Sequence, residues 1–306
     1  MSRPIFLLVL ALVFFGCSSP ETIVEETGAR LGLEVYTPDF PIEVALFEPG
    51  VVNSTWPEFG ITFTASGDTL YFDRTIKDRT KATILRSIRV NGAWQEPEVA
   101  SFSGPTFDVD PFVTSDGGIF YSSLQFDAER DSLASFDLWF WPGFGSPVRL
   151  PRPLNSDRNE SFLTAMDDGT LFFGSNRNGP AQIFKSEFVN GQRQAPVVVP
   201  LSSVINPGNP LISKDGRTLV FASEAEDGWT ELSFSCNLAG VWSTPISLPD
   251  PINSPSMEYA PGVDGEGFLY FASERPGMVV DVEAGSRPPA DIYKSNLKID
   301  SLCPGM

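Results

Sequence analysis

The chain has 306 residues, 42% of them hydrophobic, with 25 Phe, 26 Gly, 27 Pro and a formal net charge of −18. That charge excludes nucleic acid as the natural partner, because binding there is dominated by cationic contacts to phosphate; it suits a soluble surface, a cation or a basic partner. No histidine occurs, which removes Ser-His-Asp and Cys-His catalysis and the commonest zinc ligand, so any chemistry falls to carboxylates, of the kind glycosidases use.

Residues 1–16 read as an export signal: Arg3, an apolar core from Ile5 to Phe15, then Gly16. The core is short for a bilayer span. A small residue before Cys17 resembles the bacterial lipoprotein box, which implies cleavage before Cys17 and lipidation of its thiol. Ser18, in place of the Asp associated with inner-membrane retention, points to the outer membrane. Residues 17–40 are polar and acidic and read as a tether; residues 41–306 read as a single domain.

From about Pro57 one pattern recurs: an acidic or amide residue, a short apolar run, an Asp-Gly-type turn, and a second apolar run. The apolar residue after each turn falls at Leu70, Ile119, Leu171, Leu219 and Leu269, a spacing of 48–52 residues. A period of this size marks a repeat architecture. Within the third repeat, strand a is expected over Phe162–Ala165, b over Thr170–Gly174, c over Gln182–Glu187 and d over Ala195–Pro200. The d segments begin at Pro97, Pro147, Pro196 and Pro245, where proline suits an outer edge strand. Several run into a closing Asn, at Asn155, Asn206 and Asn253.

The last repeat has no fourth strand after Asp291–Asn296. Pro41–Ser54, PIEVALFEPGVVNS, matches the d segments and is expected to complete it, closing the ring and removing sheet edges. The fold class is therefore all-β, a five-bladed β-propeller; a degenerate sixth blade within residues 18–50 is the alternative. The turns, the F-x-S-x-R-x-G loops (Phe173–Gly179, Phe271–Gly277) and Asp291-Ile292-Tyr293 resemble the WD40-like repeats of TolB-type propellers over roughly residues 41–298. The resemblance implies an envelope protein that binds partners. It specifies a fold more than a function.

Ahead of strand a the repeats place Glu58, Asp108, Glu160, Asn209 and Glu258, with Asp110 two residues past Asp108. Closure is expected to gather these at one mouth of the central channel, with Trp56, Arg74, Arg177 and Arg275 on the surrounding loop face. Such a ring suits a cation, a basic peptide or a sugar, or else ties turns and blades together. No Asp-x-Asp-x-Asp-Gly loop supports a dedicated calcium site, so no metal or cofactor is expected beyond a Ca²⁺ or other cation in the channel. Trp94, Trp139, Trp141 and Trp242 are expected to pack between sheets. Long b–c insertions, Phe126–Asp137 and Met278–Asp291, lie on the same face as the ring. Cys236 and Cys303 are candidates for a disulfide in an oxidising compartment.

The expected function is a lipid-anchored, monomeric interaction module for an envelope protein or peptide, without catalysis. The alternative is a carboxylate-based glycoside hydrolase or lyase working at the channel mouth.

Overall fold

A computed structural model of the protein describes residues 38–75, 81–105, 107–124, 135–225, 228–280 and 286–303. The signal, Cys17, nearly all of the tether and most of the Phe126–Asp137 insertion lie outside the described residues, as do residues 281–285 of the second insertion. No helix among the described residues is long and apolar enough to cross a membrane.

Five antiparallel sheets are each built from strands a to d, running outward from a central channel. Blade one contains Glu58–Phe63, Thr69–Thr75, Ala82–Val90 and Glu98–Val99; blade two, Asp108–Val113, Ile119–Ser123, Asp137–Trp141 and Val148–Arg149. Blade three contains Glu160–Ala165, Leu171–Ser175, Gln182–Ser186 and Val197–Val198; blade four, Ile205–Ile212, Thr218–Glu224, Thr230–Leu238 and Ile246–Ser247. Blade five contains Glu258–Val263, Phe268–Ser273 and Asp291–Lys298, and takes its fourth strand, Val44–Leu46, from the other end of the chain. The a strands of neighbouring blades touch in a closed ring, one to two through five and back to one. The expected five-bladed propeller and its N-terminal closing strand are what the chain forms.

Local chemistry accounts for each element. Every a–b turn carries a glycine at positive φ (Gly67, Gly117, Gly169, Gly216, Gly267), which other residues adopt only at a steric cost. The b strands are apolar on both faces because each sheet is covered on both sides. Leu70, Phe72, Ile61 and Trp94 of blade one pack with Tyr270 and Ile292 of blade five, and Phe172 and Ile183 pack with Leu219, Phe221 and Trp242 across the seam between blades three and four. Trp139 and Trp141 pack with Phe102 and Tyr121, so all four of these tryptophans serve the core. The d strands span only two or three residues, each of the two-residue ones following its proline, which leaves little edge for another chain to pair with.

The closing strand is fixed by a clamp as well as by its ladder. Asn53 Nδ2 donates to the carbonyls of Phe47 (2.6 Å) and Ile292 (2.8 Å), and Ile292 N donates to Asn53 Oδ1 (2.7 Å). Asn155 repeats this on Leu138 and Leu150, and Asn253 on Leu232 and Leu248. Asn206 departs from the pattern and donates to Glu224 Oε2 instead.

Candidate functional site

The acids ahead of strand a lie inside the blades. Glu58, Asp108, Glu160 and Glu258 have no exposed surface, and none of them lines the channel. Glu160 accepts from Ser156 N (2.7 Å), Ser156 Oγ (2.6 Å) and Ser175 Oγ (2.7 Å) and pairs with Arg177 at 3.1 Å. Glu258 does the same with Ser254, Ser273 and Arg275. Glu58 does so with Ser54 and with Arg74, at 2.6 Å. Asp108 gives a shorter version, taking Gly104 N and Ser123 Oγ, each at 2.5 Å.

Each glutamate thus joins the loop leaving one blade to the inner hairpin of the next. The arginines complete the latch: Arg177 reaches the Pro153 and Leu154 carbonyls, Arg275 those of Pro251 and Ile252, and Arg74 that of Val52. Arg177 also lies over the Phe173 and Phe184 rings, and Arg275 over Phe271 and Tyr293. Burial pushes the Glu58 carboxyl up to about 7 against the pull of Ser54 and Arg74. Trp56, 36% exposed, stands beside this latch on the outer surface.

Asn209 takes a different place from the one its sequence position suggests. The ladder aligns Ile212 with Leu219 as Phe63 aligns with Leu70, so Pro207 occupies the position of Glu58 and Asn209 that of Gly60. In the other four blades an extra residue bulges strand a between its second and fifth positions, and in blade four two shifts fall between Ile205 and Leu211. The third position has positive φ in all five blades: Gly60, Asp110, Phe162, Asn209 and Ala260. Four of them, Gly60, Asp110, Phe162 and Ala260, line the channel, as does Pro210 next to Asn209.

At this level side chains join one blade to the next. Asn209 Oδ1 accepts from Ala260 N (3.1 Å), Asp110 Oδ2 from Phe162 N (3.3 Å), and Asp73 Oδ2 from Asp110 N (2.9 Å). Burial lifts both aspartates, Asp110 to about 7 and Asp73 well above the usual carboxylate range, where the neighbouring Asp110 charge adds to the effect. The channel space here is about 40 Å³ and its walls are mostly apolar.

The open space lies on the opposite face. The five a–b turns surround a bowl of about 510 Å³, within the range of small-molecule and peptide sites. Half-buried Phe63, Phe112, Phe120 and Met166 belong to its apolar wall. Asp116, Asp167, Asp215, Asp264, Glu266 and Asp300 stand around it, with Arg193 and Lys214 as cations. Asp116, Asp215 and Asp264 also brace their own turns, accepting from Thr114, Ser213 and Phe268 N respectively. Arg193 is held by the Gly169 and Ser186 carbonyls. Asp116, Asp167, Asp215, Glu266 and Asp300 are all exposed. The sequence signal for this face was the turn itself: nearly every a–b turn carries an acid beside its glycine.

No protein-family model matches the chain, and no curated protein matches it. Solved structures do. Putative TolB from Agrobacterium tumefaciens is 15% identical over 79% of each chain, with a TM-score of 0.50. The catalytic domain of the Coprinopsis cinerea GH62 α-L-arabinofuranosidase is 9% identical over 80% of this chain and 93% of that one, at 0.52. The GH43 endo-arabinanase from Bacillus licheniformis is 12% identical over 80% and 95%, at 0.50. What the chain shares with them is the propeller fold. At these identities the likeness extends to no activity, and the same fold serves a TolB protein and two glycoside hydrolases.

Cys236, near the end of strand c in blade four, and Cys303, past the end of blade five, are disulfide-bonded with Cα atoms 5.7 Å apart. Among the described residues no group of three or more His, Cys, Asp or Glu side chains converges as a metal-binding set.

Proposed function

We propose that this chain is a lipid-anchored envelope protein whose propeller works as a monomeric binding module. In this reading it holds a cationic, apolar-tipped segment of a partner protein or peptide in the a–b-turn bowl and performs no catalysis. The observation that carries this reading is the contrast between the two faces. On the b–c face, Glu58, Glu160, Glu258 and their arginines are engaged in latches, whereas the bowl combines a half-buried aromatic wall with exposed carboxylates. An apolar floor supplies affinity and an acidic rim steers a basic partner into it. The TolB-type repeats, the lipoprotein box and the acidic tether support an envelope address.

One observation favours the glycosidase reading: Asp110, a channel-lining carboxyl raised to about 7, has the character of a general acid. Its surroundings weigh against it. The space beside it is about 40 Å³, whereas sites for small molecules run to roughly 300 Å³ or more.

Affinity capture from envelope extracts tests the binding role, using residues 38–306 as bait. Asp167→Asn/Glu266→Gln/Asp300→Asn is expected to recover about tenfold less partner than wild type, and wild-type recovery is expected to fall as salt rises. Equal recovery by both baits would count against the bowl. For the anchor, Cys17→Ala is expected to leave the membrane fraction, and its retention there would refute lipidation.

A further inference from the structure

Two aspartates at the channel wall place an acid where the fold needs only a hydrogen-bond acceptor. Asn209 shows what the blade-to-blade link requires: its amide oxygen accepts the N–H of Ala260, and a neutral side chain suffices. Asp110 makes the same link to Phe162 with a carboxylate, and its second oxygen, Oδ1, has no hydrogen-bond partner among the described residues. Asp73 links to Asp110 N, and its Oδ1 is likewise unpartnered. Asp73 is fully buried and Asp110 is 5% exposed.

Asp73 comes up behind the channel wall because the residue in front of it, Gly60, has no side chain. A Cβ at Gly60 would lie 2.1 Å from Asp73 Oδ2 and 3.0 Å from its Cγ. Gly60 sits at φ +62 on the channel wall beside Asp110. The glycine therefore opens a gap through which one carboxylate approaches another, and among the described residues neither has an ion pair with Lys or Arg. Two buried like charges without a counter-charge are costly to hold, so something must neutralise them.

We propose that Asp73 and Asp110 bind a hard divalent cation in the channel, with water completing its coordination. Oxygen-only donors suit Mg²⁺ or Ca²⁺, and two carboxylates plus several waters is the usual pattern for Mg²⁺. The adjoining space of about 40 Å³ holds roughly three waters. A set of two carboxylates is smaller than a dedicated protein cage, so the site depends on that water. The ion links blades one and two, and Asp110, which accepts the Phe162 N–H, carries that link on to blade three; it acts apart from whatever occupies the bowl.

The test uses the folded chain, stripped with chelator and desalted, at about pH 8 so that carboxylates are ionised. Thermal melts with millimolar Mg²⁺ or Ca²⁺ are compared with melts in matched sodium chloride, and bound metal is counted by elemental analysis. The wild type is expected to gain on the order of 5 °C with a divalent cation. Asp110→Asn and Asp73→Asn are expected to fold, as Asn209 does the same structural task, and to lose both the gain and the bound metal. Asp264→Asn, on the bowl, should keep both. A wild type indifferent to divalent cations would overturn the proposal and leave a shared proton as the neutralising agent; a gain that survives in both channel variants would overturn it too. If one variant fails to fold, the other and the metal count decide.

Discussion

At the scale of single residues, the same side-chain set recurs at three of the five places where one blade hands over to the next, entering blades one, three and five. An Asn-Ser pair leaves the outer strand, and a Glu four residues after the Ser receives its N–H and hydroxyl, with an arginine from the inner hairpin completing the set. Removing the glutamate strands a half-buried arginine and three donors. Glu160→Ala is expected to cost about 3–5 kcal/mol, read as a shift in urea midpoint at unchanged m-value; a change within error would show that the latch contributes little. Asp291 gives a separate handle. It is fully buried, its Oδ2 accepts from Met278 N (2.8 Å), and burial lifts it from 3.8 to about 6. A raised carboxyl favours the folded state while protonated, so its contribution should decline as pH rises from about 4 to about 6 and then level off. Asp291→Asn should flatten that decline and melt higher than wild type above pH 6, in melts taken across this range. An unchanged slope would assign the pH dependence to other groups.

The elements show which parts of the fold were legible. The period, the turn glycines, the prolines of the outer strands and the missing fourth strand of blade five are all written in local chemistry, and each leads to the observed element. The channel lining was not legible, because alternation along strand a is broken by a bulge. Counting inward from Glu58 by twos fails once an extra residue enters between Phe59 and Thr62. Blade four misled further, since Asn209 precedes an apolar run as Glu160 does, yet sits two residues deeper in the ladder. The short strand Val44–Leu46 carries the closure. Phe47, which follows it, packs edge-on to Tyr270 at 5.1 Å and against Phe63 at 6.3 Å. Deleting residues 38–47 is expected to cost at least about 3 kcal/mol and to expose the edge of Asp291–Lys298. Light scattering after size exclusion should then show self-association. A monomer with an unchanged melt would show that closure matters little.

Across the whole molecule, charge and shape separate two faces. The b–c face carries the latches and the exposed Trp56; the a–b face carries the bowl. Sequence reasoning placed the partner on the first face because the acids there recur most visibly. Recurrence proved to reflect a repeated structural need, and the bowl keeps exposed acids outside any latch, Asp167, Glu266 and Asp300 among them. The most direct measurement is site-specific photo-crosslinking in intact cells, with the reactive side chain at Asp167 in one variant and at Trp56 in another. The bowl predicts a crosslinked envelope partner from position 167 and none from position 56. A partner captured from position 56 alone would place recognition on the latch face and contradict the account.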